Sequence, residues 1–319
     1  MREATGTSPL AGEAARPRAR RRRGRLVPYL FLSPAILLFT LFLVLPIGYT
    51  AYLSLQKIQV SGLGLGAGAR HEVFAALDNY RAAVTDTDLW SGSLRVLGYG
   101  AVLVPTMLGL ALLFALLLDA PRTGLRRFSR LSIFLPYSVP VVVATLLWGF
   151  LYLPTLSPLA YVLRALSLPQ PDLLGPSAIL WSIANIGLWG GVGFNMIVLY
   201  TALQAISREL YESARMDGCS ELQLALRIKI PLVTPALVLT AVFSIIATLQ
   251  VYAEPTTLRP LTNALSSTWS PLMKVYRDAF TRNDIHAAAA TSILLALLTL
   301  VISFGFMRTV QKRAFGSET

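Results

Sequence analysis

YESARMDGCSELQLALRIKIPLVTP (Tyr211–Pro235) lies between two of the most apolar runs of the chain, yet it carries Glu212, Arg215, Asp217, Glu221, Arg227 and Lys229. Its local signals are helical. Ser207 is placed to cap a helix whose first turn holds Glu209, where the helix dipole favours an acid. Gly218 suits the left-handed conformation that closes a helix. Ser220 followed by Gln223 forms a capping box that opens a second helix, and Pro231 and Pro235 mark the turn into the next apolar run. The spacing predicts two short helices joined at Gly218, with Leu222, Leu226 and Ile230 packing inward and Glu212, Arg215 and Asp217 left to meet a partner. A bare connector is usually shorter than this, so the segment reads as a docking element.

The flanks explain why such a segment stands out. The chain has 319 residues, is 55% hydrophobic and only 14% charged, against about 25% charged in a soluble domain. A span of the bilayer needs about 20 mostly apolar residues, and six runs qualify: 28–54, 94–118, 131–153, 178–203, 234–253 and 286–307. The fold class expected is an all-α polytopic membrane protein with six transmembrane helices. The first run follows the basic stretch RPRARRRRGR (Arg16–Arg25) and is too long for a signal-peptide core, so it reads as an uncleaved anchor. Residues 1–25 are expected to form a disordered basic tail and residues 26–319 the six-span domain, with the docking loop at 207–233.

The net charge of +12 suggests nucleic acid in a soluble protein, but here it sorts by side. With the N-terminus inside, 19 of the 28 Lys and Arg residues fall in inner segments, as the positive-inside rule requires. Both termini and the opening stretch are then cytoplasmic, and nucleic acid drops out as a partner. The single cysteine, Cys219, excludes an intrachain disulfide, and no metal site is expected. No run of arginines marks a voltage sensor, no TVGYG marks a potassium filter, and no GxxxxGK[ST] loop holds a nucleotide. The chain is therefore not expected to be an enzyme or to bind a cofactor itself.

Between the first two spans lies the Gly-rich run GLGLGAGAR (Gly62–Arg70), read as a flexible connector. DNYRAAVTDTDLW (Asp78–Trp90) then reads as a short amphipathic helix on the outer surface, with Trp90 at the interface. The spans hold Pro34, Pro46, Pro105, Pro136 and Pro140, and Gly187, Gly190, Gly191 and Gly193. Such residues either break helices along a transport path or let helices pack closely. The candidate path residues are Trp148, Asn185, Asn195, Gln250, Tyr252 and Glu254. The rings can stack on sugar faces and the polar groups can bond hydroxyls, and interhelical bonding is the alternative for each. The residues alone leave two rivals, a self-contained secondary transporter or channel and a membrane scaffold. The first predicts activity without an ATPase, and the second has no need of broken spans.

The docking segment resembles the cytoplasmic loop of permease subunits of binding-protein-dependent ABC importers, whose pattern is E-A-A-x-x-x-G, about nine residues, then I-x-x-P. Here Glu212, Ser213, Ala214, Asp217, Gly218, Ile228 and Pro231 stand at those positions. The runs Leu32–Leu55, Leu77–Asp86, Phe134–Trp148 and Gly193–Gly218 are similar to the sugar-importing branch, in particular to the larger maltose permease subunit and its glycerol-phosphate relative. The resemblance implies the type I ABC importer permease fold and a bacterial plasma-membrane location. It implies a second permease subunit, an ATPase dimer that carries ATP and Mg, and an extracytoplasmic solute-binding protein. It implies that the loop is a coupling helix seated in a cleft of the ATPase, and that the solute is a sugar or oligosaccharide, with glycerol phosphodiesters or another polar solute as the alternative. Ser213, Cys219, Ala225 and Ser207 depart from the usual residues of that loop. The outer run TTLRPLTNALSSTWSPL (Thr256–Leu272) lacks the TxGGP motif common among sugar permeases.

Overall fold

The computed structural model describes residues 23–60, 70–120 and 124–315. The basic tail up to residue 22 and nearly all of the Gly-rich connector lie outside these residues. The chain divides into two compact units, Met1–Thr50 and Ala51–Thr319. In the first, α1 (Arg23–Phe39) leads through a π-helical turn at Thr40–Val44 into α2 (Leu45–Ser54). The wide turn ends two residues before Pro46. A proline has no N–H to donate, and its ring crowds the carbonyl four residues back, so the extra residue of a π turn relieves that clash. Every side chain from Tyr29 to Tyr49 is exposed, leaving an apolar surface suited to lipid.

The second unit begins with the last turn of α2 and continues into a hairpin, β1 (Gln56–Val60) antiparallel to β2 (Arg70–Phe74), in the register Gln56↔Phe74 to Val60↔Arg70. It is a small addition to an otherwise helical chain, and the sequence reading did not contain it. The Asn79 side chain donates to the carbonyls of Ser54 and Gln56 at 2.8 and 2.7 Å, fixing the hairpin base to α3 (Asp78–Thr85). Asp86 then caps α4 (Thr87–Asp119), accepting from the N–H groups of Asp88 and Leu89. The expected surface helix over 78–90 is thus two elements: α3, and the first turn of a 33-residue helix that carries the second span.

α4 packs along α8 (Ile179–Gln204) as the central pair. Ala111 and Ala115, both fully buried, let Met196 and Leu199 close over them, and Leu203 and Val233 continue this core. A second cluster built on Tyr99, Ile183, Leu258 and Trp269 fills the other half.

The third span, expected as one helix over 131–153, is bent. α5 (Arg126–Phe134) ends in a 3-10 turn at Leu135–Ser138, and α6 (Val141–Tyr152) leaves at 96° to it. Pro136 and Pro140 cause the break by removing two N–H donors within five residues. Gly193 permits it, because a Cβ there would collide with the Ile133 carbonyl oxygen and stand 2.8 Å from the Phe134 Cα. After α7 (Pro158–Ala165) and α8, α9 (Arg208–Met216) is the first helix of the docking segment.

The predicted second short helix differs from expectation. α10 (Glu221–Leu224) does not stop before the fifth span. It passes through a π turn at Ala225–Lys229 straight into α11 (Ile230–Leu249). Pro231 lies inside this continuous helix instead of marking a turn, again two residues after a π turn. The extra residue of that turn shifts the buried face: Leu224, Lys229 and Val233 are at most 4% exposed, while Leu222 and Leu226 are 68% and 57% exposed. The regular i, i+4 spacing predicted the reverse. α12 (Ala253–Leu258), α13 (Pro271–Tyr276) and α14 (Ile285–Phe315) complete the unit. Among the described residues five helices are long and apolar enough to cross a membrane, and six spans result if the bent pair counts as one.

Candidate functional site

Two places gather the predicted residues. The first is the α9 end of the bundle. α9 stands out from the core with Glu212, Ser213, Arg215, Met216 and Asp217 exposed, and only Ala214 buried beneath it. Ser207 occupies the N-cap position without a side-chain bond, so that part of the expected cap is absent. Gly218 has φ +81°, a conformation costly for any residue with a Cβ, and the Cys219 N–H returns to the Ala214 carbonyl at 3.0 Å. The Ser220–Gln223 capping box is present in both directions, at 3.3 and 2.9 Å. Arg215 pairs with Glu221 across the Gly218 turn at 3.0 Å. Ile228 is half-buried and Pro231 exposed.

Beneath α9 lies a contact that sequence reasoning missed. Lys229 Nζ meets Asp119 Oδ2 at 2.5 Å, and both side chains are 5% exposed. The Gln204 amide donates to the other Asp119 oxygen at 2.7 Å. Lys229 also sits 4.9 Å from the centre of the Tyr211 ring on α9, within cation–π range. Burial, reinforced by the Asp119 charge, pushes the Tyr211 hydroxyl up to about 12, so it stays protonated and donates to the Leu203 carbonyl at 3.3 Å. The ends of α4, α8, α9 and α11 therefore meet at one ion pair. A groove lined by Asp119, Arg126, Arg208, Tyr211, Glu212, Arg215 and Lys229 runs beside it.

The second place is a cleft of about 480 Å³ between α4, the break of the third span, α8 and α11. It brings together Asn195, Gln250, Tyr252 and Glu254 of the candidates. Asn195 is buried; its amide nitrogen donates to the Gly191 carbonyl at 2.9 Å, and its amide oxygen accepts from Ser244 at 3.4 Å. Trp148 and Asn185 lie elsewhere. Trp148 packs against Tyr152 and edge-on to Trp189. Asn185 bonds the Tyr152 hydroxyl at 2.9 Å, so both serve the contact between α6 and α8.

Residues not foreseen, Tyr99, Tyr137, Phe194, Ser244 and Thr248, also line the cleft. Tyr137 and Phe194 stack at 5.0 Å with rings partly exposed. The pair of prolines around Tyr137 was the one signal that could have pointed to it. Gly187 and Gly191 serve both roles weighed from the sequence, because they line the cleft and abut Tyr99 and Met107 of α4. Among the described residues no Lys or Arg lines the cleft.

At the opposite end of the bundle from α9, Lys274 bonds both Asp86 and Asp278, at 2.9 and 2.6 Å. Arg277 bonds Asp278 at 2.9 Å and Asp88 at 3.2 Å. This network ties the start of α4 to α13 and the π turn after it, at Arg277–Thr281. Burial alone would raise the Asp86 carboxyl. The Lys274 bond and charge, with two backbone N–H donors, outweigh it and hold the group below the usual carboxylate range.

Residues 107–315 match the family described as the binding-protein-dependent transport system inner membrane component. The sn-glycerol-3-phosphate transport system permease protein UgpA of Salmonella choleraesuis is 26% identical over 295 residues, covering 91% of this chain and 96% of that protein. UgpA of Escherichia coli O157:H7 matches to the same extent. Among solved structures, a chain of the bacterial alginate ABC transporter in complex with alginate pentasaccharide-bound periplasmic protein superposes with a TM-score of 0.77 at 21% identity. The match covers 93% of this chain and 98% of that one. A chain of the MetNI methionine ABC transporter in an inward-facing conformation gives 0.52 at 17% identity over 70% of this chain.

Proposed function

This chain belongs to the family of inner membrane components of binding-protein-dependent transport systems, and from that premise we propose that it is one permease of an ABC importer for a sugar or oligosaccharide. The single observation that carries this reading is α9. It is an exposed, charged helix closed by a left-handed glycine and tied at its base to the ends of three spans. α9 is the coupling helix. Glu212 and Asp217 meet basic groups of an ATPase partner, with Ser213 and Ala214 between them, and Gly218 makes the return turn. Ile228 and Pro231 lie where the returning strand of the loop becomes the fifth span. The pair Asp119–Lys229, under the Tyr211 ring, carries movement of α9 into α4 and α11. ATP and Mg sit on the ATPase dimer, a second permease faces this one, and a solute-binding protein delivers from the far side. Both termini are cytoplasmic, as the charge distribution supports.

The cleft supports the solute class. Its stacked aromatic pair offers a flat apolar face for a pyranose ring. Asn195, Ser244, Thr248, Gln250, Tyr252 and Glu254 offer donors and acceptors for hydroxyls. Glu254, with no Lys or Arg among the described residues of the lining, disfavours an anionic solute such as glycerol phosphate and favours a neutral sugar.

The test is to purify the tagged full-length chain from its native membranes and assay the bound fraction for ATP hydrolysis. The wild-type chain is expected to bring an ATPase with it, and Glu212→Lys to lose it while still reaching the membrane. Retention of the ATPase by Glu212→Lys overturns the docking role, and uptake without any ATPase partner overturns the importer reading. Competition of uptake by neutral oligosaccharides but not by glycerol phosphate tests the solute class.

A further inference from the structure

α5 carries a feature that the cleft does not use, and of its arginines Arg126 alone also borders the groove beside α9. Arg126, Arg127 and Arg130, with Leu118 and Tyr200, line a pocket of about 360 Å³ at the α9 end of the bundle. Arg126 donates to the Ala120 carbonyl, and Arg130 lies 5.8 Å from the centre of the Tyr200 ring. None of the three takes part in an ion pair found among the described residues. The carboxylate close by in sequence, Asp119, is already held by Lys229 and Gln204. Three guanidinium groups around one pocket repel one another unless an anion enters, and their planar forks match phosphate oxygens.

The rest of α5 identifies the source of that anion. Phe128 and Leu131, with Leu135 in the turn that follows, are 67%, 61% and 60% exposed and repeat at i, i+3 and i+7, so they form one apolar stripe beside the arginines. The helix then turns through 96° into α6. A short helix with a basic face and an exposed Phe/Leu stripe, set across the direction of the following membrane helix, has the form of an interfacial segment.

We propose that the Arg126–Arg127–Arg130 pocket binds the phosphate of an anionic membrane lipid in the leaflet on the α9 side, with the Phe128–Leu131–Leu135 stripe on its acyl chains. Such a lipid would brace the bent third span where it leaves the interface. The inference goes beyond the transport reading and rests only on the chain being an inner membrane component. An α9 variant that fails to uncouple transport leaves it untouched.

The test is native mass spectrometry of the full-length chain in the assembly purified from membranes. The probes are phosphatidylglycerol, zwitterionic phosphatidylcholine and inorganic phosphate. One phosphatidylglycerol adduct is expected to outlast phosphatidylcholine, to weaken about tenfold in Arg127→Gln/Arg130→Gln, and to survive largely in Arg127→Lys/Arg130→Lys. Equal retention of the two lipids, or unchanged phosphatidylglycerol binding in the Gln variant, overturns the proposal. Displacement of the lipid by equimolar inorganic phosphate assigns the pocket to a free anion and also overturns it. Loss of an associated subunit from the Gln variant with lipid binding intact assigns the arginines to a protein partner. If the Gln variant does not fold, a salt titration of the wild-type chain decides: phosphatidylglycerol binding that ignores ionic strength overturns the site.

Discussion

The two ends of the helical bundle are built on opposite plans. At one end, Lys274 and Arg277 are shared among Asp86, Asp88 and Asp278, so both cations and Asp278 have more than one charged partner, and the start of α4 is stitched to α13 and the π turn after it. At the other, one buried pair, Asp119–Lys229, joins the span ends, and α9 touches it through Tyr211 while its charged side chains Glu209, Glu212 and Arg215 are exposed. This network tolerates the loss of Lys274, because Asp278 keeps Arg277 and Asp86 keeps its two backbone donors. A single buried pair tolerates no such loss, because each charge depends on the other. The first plan suits an end that must hold its shape. The second suits the coupling proposed for α9, in which its movement reaches α4 and α11 through that contact.

The sharpest way to break the comparison is Asp119→Ala. It strands the Lys229 ammonium in a site 5% exposed, and removing one partner of such a pair costs about 3–5 kcal/mol. Thermal unfolding of the detergent-purified chain is expected to fall accordingly. Asp119→Leu/Lys229→Met is expected to regain much of the loss while transport stays impaired. Recovery of transport with stability would show that the pair only packs.

Lys274→Met tests the other end. Asp278 keeps Arg277, and Asp86 keeps its two backbone donors, so the loss is expected to be smaller, about 1–3 kcal/mol. A loss as large as that of Asp119→Ala would erase the distinction between the ends. The same network has a pH signature. The Asp86 carboxyl is held below its ordinary value when folded, so its stabilisation is complete above the unfolded value of about 3.9 and fades as pH falls through the lower folded value. Acid unfolding is therefore expected to begin below about pH 4 and to be less steep in Asp86→Asn. An Asp86→Asn profile identical to the wild type would remove Asp86 from the network.

The ends also differ in how far the sequence disclosed them. The Gly218 turn and the Ser220–Gln223 box are local and legible, because caps and left-handed glycines are set by neighbours within four residues. The ion pair was not, because Asp119 and Lys229 are 110 residues apart and a π turn, invisible to a 3.6-residue period, places Lys229 on the buried face. The same turn leaves Leu222 and Leu226 facing outward, against the inward face that regular helical spacing predicts. The bend of the third span was half legible: Pro136 and Pro140 announced a break, but its angle depends on the absent side chain of Gly193, which belongs to another helix. In the cleft, polarity alone found Asn195, Gln250, Tyr252 and Glu254. It also selected Asn185, whose hydrogen bond to Tyr152 only the fold reveals.

The smallest effects expected fall on α9 itself, which the comparison requires to be lightly held. Gly218→Ala forces a Cβ into φ +81°, where open space surrounds it, so the cost is backbone strain alone, about 1–2 kcal/mol. Ser220→Ala removes one half of the capping box for about 1 kcal/mol. Breaking the exposed Arg215–Glu221 pair is expected to cost at most about 1 kcal/mol. If α9 is a lever, these changes leave the melting of the bundle almost unmoved while Gly218→Ala lowers coupled ATP hydrolysis, because the strain falls on the turn that sets the angle of the helix. A Gly218→Ala chain that melts several degrees lower yet couples normally would mean that α9 is a structural part of the core, and the contrast between the two ends would fail at its most exposed point.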